Sequence, residues 1–286
     1  MTTRDNIPMK YTGCIMTEKT GQLYICATPI GNLEDITLRA LRALKEVDLI
    51  AAEDTRHTLK LLSHYDIKTP MTSYHEHNKR QKGQQLMDKL LGGASIALVS
   101  DSGMPGISDP GNELILLCHD RKIPVTICPG ASAGISALVL SGFSAQSYTF
   151  EGFLPRANQK RKAVLEQLAN ERRTIVLYEA PHRLAAALKE LHAYLGDRQV
   201  AVVRELTKRF EEVKFGSFSE MAGFYEKNPP KGEFVLVIKG VAAAKEMFSV
   251  EHYIELGLTE NEAMKKAAKD RGVAKNVVYK EYKIKK

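Results

Sequence analysis

Two kinds of cluster in this chain could do chemistry. The first gathers carboxylates, imidazoles and a guanidinium in short polar segments. Glu53-Asp54-Thr55-Arg56-His57 directly follows an apolar run, and His75-Glu76-His77-Asn78 follows a second one. Such groups move protons or clamp a charged substrate. Glu53, Asp54 and His57 are therefore candidates for acid–base work, and Arg56 and His75 for substrate contact. The competing expectation for Glu53–His57 is a helix start, with acid complementing the helix dipole. His75-Glu76-His77 also invites a metal reading, but no third and fourth ligand stands at a telling spacing. No metal is expected.

The second kind of cluster is a loop of small residues. SDSGMPGISDPG, from Ser100 to Gly111, holds three glycines, two prolines and two aspartates after the apolar run Ile96–Val99. Thr28-Pro29-Ile30-Gly31-Asn32 follows Leu23–Ala27, and Pro129-Gly130-Ala131-Ser132-Ala133-Gly134 follows Val125–Cys128. The runs are long enough for buried strands and too short for helices. Gly and Pro then end each one. In open parallel sheets, ligands bind outside the carboxyl ends of the strands. The three exits would share one edge and converge on a small polar ligand with an adenine-sized flat part. None of the loops reads GxGxxG, which argues against a dinucleotide.

The elements that must position these loops alternate strand and helix. Helical spacing predicts helices over 36–45, capped by Asp35, and over 55–64, 78–91, 113–121 and 135–141. Strands are expected at 47–52 and 71–74. Gln146–Phe153 lacks a clear period and reads as a linker. A basic-faced helix, with Lys160, Arg161 and Lys162, is predicted over 156–170, and another helix over 184–195. Strands at 174–178, 199–203 and 232–238, an extended 211–218 and a helical 220–225 suggest a mixed sheet with antiparallel members. After a break at 239–244, helices are expected at 250–256, 260–270 and 275–282, with Thr259 and Glu262 forming a capping box. Lys265, Lys266, Lys269, Arg271, Lys275 and Lys280 make this tail helix-turn-helix-like. It either touches RNA or only packs on the body.

Composition sets the bounds. At 286 residues, 44% hydrophobic and 26% charged, the chain suits two modest α/β domains with an appendage. The net charge of +7 suits an anionic partner. None of the four cysteines makes a CxxC pair, so a reduced, cytoplasmic protein is expected. No segment is apolar for long enough to cross a bilayer, and no membrane partner is expected. The first twenty residues lack the apolar core of a secretory signal and read as a loose extension. The division is a flexible extension over 1–21, α/β domains over 22–145 and 146–240, and a helical extension over 241–286.

The series TPIGNLEDIT, AAEDTRHT, SDSGMPGISDPG, PGASA, LYEAPHR, RELTK and KGEFVLVI, in that order, resembles the tetrapyrrole methylase superfamily. Within it, the chain is most similar to the bacterial cytidine 2′-O-methyltransferases of small-subunit (16S) ribosomal RNA. The resemblance runs from Gln22 to about Gly240, and the tail resembles an extension that many members carry. It implies two α/β domains with S-adenosylmethionine folded between them, a homodimer, and the small ribosomal subunit or its RNA as partner. It places Pro29, Asp101, Met104, Ile107, Ser132, Ala133, Tyr178, Leu206 and Gly232 at the cofactor. Met104 departs from the Thr that relatives often carry. For proton removal from a ribose hydroxyl, Glu53, Asp54, His57, His75, Glu205 and Lys208 are the candidates, the Glu53–His57 cluster first, with Arg56, Arg183 and Lys208 holding phosphate. Two other readings compete. A methylase of a small tetrapyrrole or corrin precursor would share the cleft without needing a basic tail. A non-catalytic RNA-binding module would have no affinity for the cofactor.

Overall fold

The computed structural model describes residues 20–241 and 249–285. Cys14, the extension before residue 20 and much of the expected break after Lys239 lie outside the described residues. Two five-stranded sheets organise the chain.

The first sheet contains β1 (Leu23–Cys26), β2 (Leu49–Ala52), β3 (Met71–Ser73), β4 (Ile96–Val99) and β5 (Val125–Cys128). It is parallel throughout, in the order β3-β2-β4-β1-β5. Its helices are α1 (Leu38–Glu46), α2 (Thr55–His64), α3 (Lys79–Leu91), α4 (Asn112–Asp120) and α5 (Ala133–Leu140). The pleat sends alternate residues to opposite faces. Ala97 and Val99 pack with Ala40, Leu44, Leu61 and Leu62 of α1 and α2. Ile96 and Leu98 pack with Leu86, Leu90 and Leu114 of α3 and α4. The sheet is thus covered on both sides, which is why its strands read as apolar runs. β1 and β4 are neighbours whose chains leave in opposite directions, one toward β2 and the other toward β5. Their carboxyl ends form the crevice where such sheets bind ligands.

The second sheet contains β6 (Tyr148–Phe153), β7 (Thr174–Glu179), β8 (Gln199–Arg204), β9 (Glu212–Ser217) and β10 (Phe234–Ile238), in the order β6-β7-β10-β8-β9. β6 and β7 are parallel and the remaining pairs antiparallel, so the sheet is mixed as expected. On one face Ile175, Leu177, Val200, Val202, Leu236 and Ile238 pack under α6 (Asn158–Leu168), α7 (Leu184–Leu195) and α8 (Phe218–Lys227). On the other, Val176, Ala201, Val203, Val235 and Val237 meet Ala137 and Leu138 of α5, and Ile30 from the loop after β1. That second contact joins the two sheets.

Several sequence expectations need correction. Gln146–Phe153 is no linker: residues 148–153 are an edge strand. A bulge between Phe150 and Gly152 breaks its alternation, and the period-two signal vanishes with it. Thr37 caps α1 by accepting from the Ala40 N–H, while Asp35 lies in a 3-10 turn over Leu33–Asp35. The basic-faced helix spans 158–168, and Arg161 on it is buried against Glu190 at 2.5 Å.

The tail folds as three helices, α9 (Val250–Glu255), α10 (Glu260–Arg271) and α11 (Lys275–Lys285). Thr259 and Glu262 make the expected capping box. Val250, Tyr253, Ala263, Met264, Ala267, Val278 and Tyr282 form a small core among the three helices themselves. Lys265, Lys266, Lys269 and Lys280 stay exposed around it.

Candidate active site

The loops after β1 and β4 are stitched together where they leave the sheet. Thr28 and Gly103 exchange backbone hydrogen bonds of 2.9 and 3.2 Å, and the buried Thr28 hydroxyl donates to the Ser100 carbonyl at 3.1 Å. The loop after β1 also presses against the segment after β8. The Asn32 N–H donates to Thr207 Oγ1 at 3.1 Å. A β-carbon on Gly31 would fall 2.5 Å from Lys208 Cγ and 2.9 Å from the Leu206 carbonyl oxygen, so only glycine fits there.

Between these loops, α5 and the second sheet lies a cavity of about 320 Å³. Ile30, Gly103, Met104 and Ile107 line it from the first sheet's loops, and Ser132 and Ala133 from the start of α5. Tyr178, Val203, Leu206 and Val235 line it from the second sheet. The walls are mostly apolar, with Asp109, Glu179 and Glu233 as the charged exceptions. Tyr178 Oη accepts the Gly134 N–H at 3.1 Å, and its ring stands edge-on to Phe150 and Phe153. Burial pushes its hydroxyl above the ordinary tyrosine value. Ser132 precedes α5 without capping it through its side chain, and Tyr178 takes the Gly134 amide of the first turn instead.

Six of the residues placed at the cofactor line this cavity: Met104, Ile107, Ser132, Ala133, Tyr178 and Leu206. Pro29 and Asp101 line a smaller one of about 270 Å³, together with His57. Gly232 stands beside the main cavity with φ of 100°, and a β-carbon there would meet the Glu205 carboxyl at 2.6 Å. It lets the chain pass close enough for Glu205 to accept the Glu233 N–H at 2.9 Å.

The proposed acid–base residues sit outside the main cavity. Asp101 Oδ1 accepts the Asp54 N–H at 3.0 Å, and Glu53 Oε2 accepts the Asp101 N–H at 3.4 Å. Burial raises the Glu53 carboxyl above its ordinary value; the Asp101 N–H opposes this and the Asp101 charge reinforces it. Asp54 caps α2 and takes two bonds from the Arg56 guanidinium, which holds its carboxyl well below the usual range. Asp54 and Arg56 therefore satisfy each other at the surface. His75 donates its backbone N–H to Asn78 Oδ1 at 2.9 Å, and its ring Nδ1 is buried without a partner. Lys208 bridges Glu205 and Glu233, each at 2.9 Å. Burial alone would lower its pKa, but the two carboxylates outweigh that and raise it.

Arg183 lies on the far side of a 3-10 turn, Pro181–Arg183. Pro181 lines the main cavity, while His182 and Arg183 line an open groove of about 520 Å³ with Arg156. Arg183 also approaches the buried Glu179 at 3.5 Å. Sequence reasoning missed Asp109, Glu179 and Glu233 as cavity residues. Each sits inside a quoted motif, but nothing local marks the side chain that turns inward.

Comparison with known proteins agrees with this architecture. The family model described as Tetrapyrrole (Corrin/Porphyrin) Methylases matches residues 22–222. "Ribosomal RNA small subunit methyltransferase I" of Bacillus subtilis is 48% identical over 279 residues, covering 93% of this chain and 95% of its own. The protein of the same name from Halalkalibacterium halodurans is 47% identical over 273 residues, covering 92% and 94%. Among solved structures, diphthine synthase aligns over 76% of this chain and 89% of its own, at TM-score 0.60 and 14% identity. Uroporphyrin-III C-methyltransferase from Thermus thermophilus, complexed with S-adenosylhomocysteine, aligns over 77% and 97%, at TM-score 0.55 and 20% identity. These last two likenesses concern the fold.

Proposed function

Because the chain belongs to the tetrapyrrole methylase family, we propose that it transfers the methyl group of S-adenosylmethionine to small-subunit ribosomal RNA, at the ribose 2′-hydroxyl of a cytidine. The observation that carries this reading is the inter-sheet cavity, held in a chain that matches the rRNA methyltransferases along nearly its whole length. The cavity fits the donor. Its volume of about 320 Å³ suits one small molecule, and its apolar walls and Tyr178 suit a flat base.

When bound, the donor supplies an electrophilic methyl on a sulfonium, so the protein must position, desolvate and accept a proton. Met104, Ile107, Leu206 and Val235 exclude water from the cavity, and Ser132, Ala133 and Tyr178 offer amide and hydroxyl contacts. Arg156 and Arg183 present positive charge in the adjoining groove, beside His182. RNA phosphates lying there would bring a nucleotide to the Pro181 end of the cavity. The exposed lysines of the tail extend the same attraction.

The chain acts as a homodimer in this proposal. Among the described residues β5 is an open edge of the first sheet, and Ile127 on it is 53% exposed. Val139 of α5 is 70% exposed, beside exposed Ile135 and Leu140. A second copy of the chain would cover this apolar surface. No helix of the described residues is long and apolar enough to cross a membrane. The cytoplasm, where ribosomal subunits assemble, is the proposed location.

The test is methylation of small subunits, or of their RNA, by the purified protein with labelled S-adenosylmethionine, followed by nuclease mapping. A label on one cytidine ribose supports the reading. A label on a tetrapyrrole precursor, or none on RNA despite donor binding, overturns it.

A further inference from the structure

Methyl transfer to a ribose hydroxyl needs a base, and the groups first suggested for that role lie outside the main cavity. The charged side chains that line it are Asp109, Glu179 and Glu233. Glu179 is 3% exposed and committed to its own turn: it accepts the Ala180 N–H at 2.9 Å and faces Arg183. Glu233 is exposed and neutralised by Lys208. A carboxylate paired with an ammonium in water is a weak base.

Asp109 differs from both. It is half-buried, and among the described residues no ion pair neutralises it. The groups that face it are Glu53 from the exit of β2, Ser100 and Asp101 from the exit of β4, and Tyr178 from β7. His75, from the exit of β3, acts on Glu53 behind it. Burial, and then repulsion by Glu53 and Asp101, push the Asp109 carboxyl up to about 7, while a hydrogen bond with Ser100 pulls the other way. A base is most effective when its pKa lies near the working pH. The backbone fixes its place. Ser108 has φ of 63°, a left-handed conformation that a serine adopts only where its surroundings enforce it. Pro110 follows, and Gly111 with φ of 149° opens α4.

Resting on the methyltransferase reading above, we infer that Asp109 is the catalytic base that receives the proton of the acceptor hydroxyl. Asp109 takes that proton on a carboxyl oxygen as the hydroxyl oxygen bonds the methyl carbon. The electron pair of the breaking carbon–sulfur bond stays on sulfur and neutralises the sulfonium. Asp109 then returns the proton to solvent. Glu53 and Asp101 act here as positioning residues that keep Asp109 basic.

The test combines three measurements on the full-length chain. Single-turnover methylation of small-subunit RNA is followed against pH, S-adenosylhomocysteine binding is followed by calorimetry, and carboxyl carbons of the free protein are titrated by NMR. Asp109→Asn should slow methylation by about 100-fold or more, within the range for loss of a general base, and leave S-adenosylhomocysteine affinity within about threefold. One carboxyl of the wild type should titrate near 7, matching the acid limb of the rate profile, and be missing in Asp109→Asn. Glu53→Gln should move that titration and the acid limb to lower pH together. The inference is overturned if Asp109→Asn keeps more than about a third of the rate. It is equally overturned if no carboxyl titrates above pH 5, or if the variant loses S-adenosylhomocysteine instead of rate. A wild type that does not bind S-adenosylhomocysteine overturns the methyltransferase reading itself.

Discussion

Thr28 and Gly103 stand opposite each other as an antiparallel bridge between two loops that leave parallel strands. The bridge ties the two loops together where they leave the sheet, and both loops line the cavity or its rim. Gly103 holds φ of 85°, and a β-carbon there would lie 3.3 Å from Ile30 Cγ2. Gly103→Ala should strain this bridge by about 1–3 kcal/mol and push Ile30 into the cavity. Calorimetry should show S-adenosylhomocysteine binding weakened by about tenfold or more, with a Tm lower by a few degrees. Unchanged affinity would mean that the bridge does not shape the binding site.

Asp109 should also leave a mark on stability. Its folded pKa is about 7, well above the ~3.9 of an unfolded aspartate. The native state therefore holds more protons across that window, and stability falls as pH rises from about 4 to 7. Asp109→Asn removes this loss. The variant should match the wild type near pH 4 and exceed it at pH 8 by ~1–2 kcal/mol, given the partial exposure of the group. Urea unfolding at the two pH values measures the difference, and an equal effect at both would contradict the burial argument.

Lys208 ties the second sheet's loops together through Glu205 and Glu233. Burial works against the Glu205 charge, but Lys208 and the Glu233 N–H hold its carboxyl below the ordinary range. That stabilisation is present above the usual glutamate pKa and is lost as pH falls through the depressed one. Lys208→Ala should cost about 1 kcal/mol at pH 7 and flatten the acid dependence of stability. Restoration by Glu205→Gln in the same chain would identify the unpaired carboxylate as the cause. No change at pH 7 would show the bridge to be inert.

The tail carries its own small core, so its lysines can be changed without touching the cavity. Replacing Lys265, Lys269 and Lys280 with Ala should weaken binding to small-subunit RNA and reduce the slope of log affinity against log salt by about 2–3. S-adenosylhomocysteine binding should stay constant. Anisotropy over a salt series reads the slope, and an unaltered slope would assign RNA binding to the body alone.

The glycine-rich loops were legible in the sequence because four-residue apolar runs ending in Gly and Pro leave few alternatives to a parallel strand, buried at β4 and partly exposed at the β5 edge. The convergence of their exits follows from parallel pairing alone. β6 was hidden because its bulge at Phe150–Gly152 destroys the alternation that marks a strand. Arg161 was read as surface charge because sequence does not disclose that Glu190, one helix away, waits to pair with it. Asp109 was hidden for a related reason. It was quoted within its motif, yet its basicity depends first on burial against the cavity and then on Glu53, which approaches from the end of β2. Local pattern fixes elements, whereas the charge state of a side chain depends on neighbours distant in sequence.

The account stands on one molecule of methyl donor bound between the two sheets. Calorimetry with S-adenosylhomocysteine on the wild type and on Ala133→Phe, which fills the cavity from the start of α5, tests this directly. The wild type should bind one ligand per chain, and the variant should fold cooperatively yet bind at least about 30-fold more weakly. Wild-type affinity in Ala133→Phe, or a wild type that binds nothing, would contradict it.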